Sequence, residues 1–165
     1  MDLKDKVPPH NLDAEQATLG AILFDSAAIS EIATILRPDR FYSFQNQLIY
    51  EAMLSLYKQN VAIDMLSLIN ELTKQGKLEQ AGGNAYIADL TNTVATSANI
   101  NYYVDIILDQ ATRRDLIRLS SDVRASAFDE THNSKVLLEQ AEKKIFNLSE
   151  NNETSRIYGM KDVIS

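Results

Sequence analysis

The chain has 165 residues, 45% of them apolar and 24% charged, with five glycines, three prolines, no cysteine and a formal net charge of −7. That length fits one domain with, at most, an appendage, and no apolar run approaches the ~18 residues of a transmembrane helix. Without cysteine there is no disulfide framework or thiol chemistry, and the acidic balance disfavours both nucleic acid and an anionic membrane surface as targets.

Residues 1–9 read as a flexible arm that ends in Pro8-Pro9 and lacks the basic-then-apolar pattern of a secretory signal, so a cytoplasmic location is expected. Asn11 is a good N-cap, with Asp13 and Glu15 in the positive first turn of a helix whose apolar face holds Leu12, Leu19, Ile22 and Leu23. Asp25-Ser26 breaks and recaps the chain, and Ile29, Ile32, Ala33 and Leu36 predict a second helix that stops at Arg37 before Pro38. After the aromatic corner Phe41-Tyr42-Ser43-Phe44, the residues Leu48, Ile49, Ala52, Met53, Leu56 and Tyr57 predict the central core helix. Asp64 caps a fourth helix with Met65, Leu68, Ile69 and Leu72 inward, and Gly76 stops it. A fifth helix is predicted over about Asn84–Val94, after a Gly82-Gly83 turn. No stretch alternates with period two, so no strand is expected.

The stretch Asn99–Leu148 reads as a long antiparallel helical hairpin. Its first arm, about Ile100 to Phe128, spans roughly 40–45 Å at helical rise. A stripe of Ile100, Tyr103, Val104, Ile107, Leu108 and Ala111 continues through Leu116, Leu119, Val123 and Ala127. Asp129–Asn133 forms a polar turn, Ser134 is positioned to cap, and Leu137, Leu138, Ala141, Ile145 and Leu148 mark the return arm. Such a hairpin should reach beyond a head of about 90 residues and needs a partner. The polar stretch 149–155 has the profile of a linker, and a new apolar pattern then starts at Ile157, as in a fragment of a longer protein. The expected fold is therefore all-α: an arm over 1–9, a head of about five or six helices over 10–98, a hairpin over 99–148, and a linker over 149–165.

Chemical motifs are absent. No phosphate-cradling G-x-x-x-x-G-K-[ST] occurs, and Gly82-Gly83 follows no strand. His10 and His132 have no ligand partner at helical spacing, so no metal is expected. Glu139 and Glu142 share a helix face but are flanked by Lys143 and Lys144, as on a solvated surface, and Arg113, Arg114 and Arg118 read as surface arginines. What remains is apolar residues that a monomer need not cover: Ile106, Ile117 and Val123 on the long arm, and Tyr86 before it. Each either packs internally or faces a partner, and the residues alone leave both open.

Several strings resemble the bacterial DnaB-type replicative DNA helicases. These are Val7-Pro8-Pro9 through Ala14-Glu15-Gln16 to Leu19-Gly20, then Phe41-Tyr42 with Ile49–Met53, Gly82–Ile87, and Ala98–Tyr103, in order along nearly the whole chain. The resemblance implies the N-terminal collar domain of a hexameric helicase, with hairpins that pair between subunits as a trimer of dimers and a surface that docks the C-terminal domain of primase. It carries primase contact to Asp13, Tyr86, Ile117 and Val123. Hairpin pairing implies a dimer interface of Ile106, Leu116, Leu119, Leu137, Leu138 and Ile145. Tyr158–Ile164 resembles the start of the linker helix. The ATP- and Mg-dependent motor is absent from these residues, so no cofactor and no enzymatic activity are expected of them, and little or no direct nucleic-acid binding. The alternative is the C-terminal helicase-binding domain of a primase, which shares the architecture but should end its chain with no linker.

Overall fold

A computed structural model describes the backbone of residues 6–164 and the side chains of residues 6–152. Every regular element among them is helical, as the apolar periodicity requires: five helices before residue 100 and two long ones after it. The chain divides into two compact units, His10–Ala111 and Met1–Pro9 together with Thr112–Ser165.

In the first unit, the head, Asn11 caps helix α1 (Leu12–Phe24) by accepting the Ala14 N–H at 2.9 Å. A 3₁₀ turn over Ser26–Ala28 leads into α2 (Ile29–Ile32). This helix ends well before the expected Arg37. Arg37 is extended, at φ −93° and ψ 152°, because the following Pro38 excludes it from the helical region, and the Leu36 carbonyl accepts the Tyr50 hydroxyl at 2.9 Å. Helix α3 (Phe44–Lys58) is the central core helix, burying Leu48, Ile49, Tyr50, Ala52, Met53 and Leu56. Tyr50 replaces the expected Tyr57, which is exposed. In α4 (Met65–Lys74), Asp64 and Ser67 form a reciprocal capping box. Helix α5 (Gly83–Leu90) stops short of the expected Val94. There the Thr91 and Thr93 hydroxyls donate to the Ala88 and Leu90 carbonyls at 2.6 and 2.7 Å, competing with helix continuation.

The head does not end at residue 98. The first turns of α6 (Ile100–Phe128) bury Ile100, Val104, Ile107 and Ala111, a three-and-four spacing that extends the core to Ala111. Gly20 sets the approach of α1 to α5: a Cβ there would meet the Thr93 hydroxyl and come within 2.7 Å of the Leu90 carbonyl oxygen.

The second unit, the arm, contains the rest of α6 and α7 (Ser134–Ile164). In the turn between them, Asp129 accepts the Thr131 N–H at 3.1 Å and its hydroxyl at 2.7 Å. The cap of α7 is Asn133, which accepts the Lys135 N–H at 2.8 Å, and not the expected Ser134. The Thr112 hydroxyl lies 3.5 Å from Asn152 Oδ1, so α7 returns antiparallel along α6. Helix α7 continues over 149–164, where a linker was expected. A polar composition removes packing partners but, without Pro, breaks no helical hydrogen bond. The side chains from Glu153 onward, including the resembling string Tyr158–Ile164, lie outside the described residues, as do residues 1–5 of the expected arm. Pro9, at the end of that arm, has its carbonyl bonded by Arg114 Nη1 at 2.8 Å.

Gly20→Ala should destabilise the head by about 1–3 kcal/mol in urea titration, because the added methyl forces α1 from α5. A second expectation concerns pH. Hydrogen bonds from Ser55 and Gln75, each at 3.0 Å, hold the Glu71 carboxyl below the usual carboxylate range. The folded state thus favours the charged form, and its contribution is present above the unfolded-chain pKa and lost as pH falls through the folded one. Melting temperature should drop as pH falls below about 4.5, and Ser55→Ala should make that drop shallower.

Candidate partner-binding surfaces

Glu15, 1% exposed, organises the head's surface from beneath. Expected to complement its own helix, its carboxylate is instead engaged at the start of α3. There it accepts the Tyr42 N–H at 2.9 Å, the Ser43 N–H at 3.2 Å and Asn46 Nδ2 at 3.0 Å. Free N–H groups and the positive helix terminus make that a favourable place for a buried anion. The other end of the Asn46 amide accepts the Tyr86 hydroxyl at 2.5 Å, and Gln16 Nε2 reaches the same hydroxyl at 3.5 Å. Burial, with the Glu15 charge adding to it, raises the Tyr86 hydroxyl above the ordinary phenol range. Gly82 completes the seat. It sits at φ +103°, where an L side chain is strained, and a Cβ there would strike the Tyr86 ring at 2.8 Å. Tyr86 is thus half-buried, its hydroxyl committed to Asn46 and Gln16 and its ring set against Gly82.

Beside this network a shallow open groove of about 400 Å³ lies across the head. It is lined by Asn11, by Asp13, Ala14, Gln16 and Ala17 of α1, by Thr93 and Val94 after α5, and by Tyr102, Tyr103 and Ile106 of α6. Gln16 joins the groove that holds Asp13 to the hydroxyl of Tyr86. Ile106, assigned from sequence to a hairpin interface, lines this groove and packs half-buried against the head core. Tyr102, 66% exposed, also lines the groove and is not among the contact residues expected from the sequence. Its signal was the Tyr102-Tyr103 doublet, in which adjacent helix positions must face different ways.

In the arm, Leu116 and Ile117 are each 50% exposed, while Leu119 and Val123 are half-buried. On α7, Leu137 is half-buried, and Leu138 and Ile145 are 62% and 55% exposed, with Phe146 beside them. Ile117 and Val123, six residues apart, point roughly 120° from one another around a 3.6-residue helix. Asp13 and Tyr86 therefore belong to the head, and Ile117 and Val123 to the arm, on different faces of one helix. Glu139 and Glu142 are exposed, and His132 Nδ1 lies 3.6 Å from Asp129. Among the described residues there is no group of three or more potential metal ligands, and no helix is long and apolar enough to cross a membrane.

The sequence of residues 7–109 matches the model of the DnaB-like helicase N terminal domain. The chain is 36% identical over 162 residues to the replicative DNA helicase DnaC of Bacillus subtilis, covering 98% of this chain and 36% of that protein. It thus spans about a third of the length of such curated relatives. Among solved structures, it is similar to the N-terminal domain of DnaB helicase from Mycobacterium tuberculosis, with a TM-score of 0.80 and 32% identity over 86% of this chain and 99% of that one. The N-terminal domain of DnaB helicase from Helicobacter pylori, described with its interactions with primase, shares the fold at a TM-score of 0.61. It is 24% identical, covering 70% of this chain and 90% of that one.

Glu15→Ala should cost about 3 kcal/mol or more in chemical denaturation, because two backbone N–H groups and the Asn46 amide lose their acceptor in a dry site. Glu15→Gln, which keeps one acceptor oxygen, should lose less.

Proposed function

The chain belongs to the DnaB-like helicase N-terminal domain family, and on that premise we propose that it is the assembly and docking module of a replicative DNA helicase. Its relatives carry more chain, and the ATP-driven unwinding of DNA is proposed for the full-length parent. The observation that carries the reading is a hairpin whose flanks stay apolar and open: Leu116, Ile117, Leu138 and Ile145 are all at least half exposed. Two helices side by side bury one seam, here Leu119, Val123, Leu137 and Leu148, and leave the neighbouring stripes to water. Large apolar residues left exposed together on one two-helix unit mark protein contact.

Pairing with a second copy uses Leu116, Leu138 and Ile145, with Leu119 and Leu137 supporting from the seam. In the parent, such pairs assemble as a trimer of dimers. The primase C-terminal domain docks through Asp13, Tyr86, Ile117 and Val123, the last half-buried in the arm. The interactions with primase described for the Helicobacter pylori domain support this choice of partner.

Calorimetric titration of this chain with the cognate primase C-terminal domain tests the docking. Micromolar binding is expected, and Ile117→Asp should abolish it while helicity is retained, since a charge in a closing apolar contact costs several kcal/mol. Absence of binding by the wild type refutes the docking role. Pairing is tested separately by mass in solution: Leu138→Glu with Ile145→Glu should shift a dimer to monomer.

A further inference from the structure

The head groove has a chemistry of its own. Among the described residues, Asp13 is its one carboxylate, exposed on the first turn of α1, and makes no hydrogen bond or ion pair with any of them. Among the described residues, no lysine, arginine or histidine lines the groove. Tyr102 and Tyr103 of α6 line the same groove, their rings edge to face with centroids 6.1 Å apart, and Tyr102 is 66% exposed. Ala14 and Ala17, both small, also line it, and the amides of Asn11 and Gln16 add acceptors at its margin. An unpaired carboxylate, an exposed aromatic face and a slot lined by small residues together match one side chain best. A guanidinium is planar, stacks on an aromatic face and carries several donors for a carboxylate, whereas an ammonium is a compact, strongly hydrated point charge.

We propose that this groove is a subsite for an arginine side chain presented by a basic segment of a partner protein. The guanidinium lies against Tyr102, donates to the Asp13 carboxylate, and seats its aliphatic stem on Ala14, Ala17 and Ile106. Charge complementarity selects the occupant: the chain carries a net charge of −7, and one of its carboxylates, Asp13, is the only charged side chain among the described residues that line the groove. The proposal rests on the docking reading in that it makes Asp13 part of a partner-facing surface, and it adds the chemistry that surface recognises.

The test uses the full 165-residue chain, labelled with ¹⁵N, and N-acetyl-arginine amide as probe. Saturable amide shifts are expected at Asn11, Asp13, Tyr102 and Tyr103, with a Kd in the millimolar range for so small a ligand. N-acetyl-citrulline amide, of the same shape but uncharged, and N-acetyl-lysine amide should each bind about tenfold more weakly. Asp13→Asn and Tyr102→Ala should each weaken the arginine probe by about tenfold while the fold is retained, the exposed Asp13 giving up only its modest interaction with the helix terminus. Shifts that are absent, scattered over the surface, or equal for arginine and citrulline overturn the subsite. So do groove shifts that appear with protein concentration alone, which make a second copy the occupant. A chain that binds the probe but no primase domain keeps the subsite and removes the primase reading. Primase bound equally by wild type, Asp13→Asn and Tyr102→Ala does the reverse.

Discussion

One buried carboxylate sets the geometry on which the head's surface depends. Glu15 leaves water only because three donors meet it at the beginning of α3, two of them backbone N–H groups that no helix could otherwise satisfy. The interaction works in both directions: the anion braces the entry to α3, whose cap is Ser43, and α3 fixes the rotation of α1. Asn46 passes the constraint on, since the amide that donates to Glu15 also accepts the Tyr86 hydroxyl. Tyr86 in turn anchors α5 over Gly82. A short polar chain thereby orients three helices that apolar packing alone, being non-directional, would leave free to slide.

The same constraint explains why the head offers shaped surfaces. With Glu15 directed inward, its neighbours on α1 divide between two tasks. Gln16 bonds to Tyr86, and Asp13, two positions before Glu15, is turned out into the groove. Another part of the groove's lining is supplied by the first turns of α6, whose inner stripe of Ile100, Val104 and Ile107 is sealed in the core while Tyr102 and Tyr103 remain at the rim. Groove and core are two sides of one amphipathic helix.

The arm follows a different logic. A two-helix layer has no interior beyond its seam, so the residues beside that seam cannot be hidden within the unit. Folding stability there comes from one line of half-buried side chains, from a turn tightened by Asp129 and Thr131, and from the Asn133 cap. The head closes its core, whereas the arm leaves Leu116, Ile117, Leu138 and Ile145 at least half exposed.

Local signals in the sequence were sufficient for much of this. Three-and-four apolar spacing placed every long helix, the Asn11 and Asp64 caps lay where short polar side chains precede an apolar run, and Gly82-Gly83 marked a turn of positive φ. The family strings were legible for the same reason: Glu15, Gln16, Gly20, Gly82 and Tyr86 are types that the fold requires at those places. Tertiary structure decided the rest. Whether Glu15 served α1 or α3, whether Tyr50 or Tyr57 entered the core, and whether Ile106 belonged to hairpin or head all depended on partners distant in the chain. Val123 and Ile117 are both apolar in sequence, yet only the return of α7 separates a seam residue from an open one. Periodicity reports that a face is apolar; what covers that face is a property of the packed molecule.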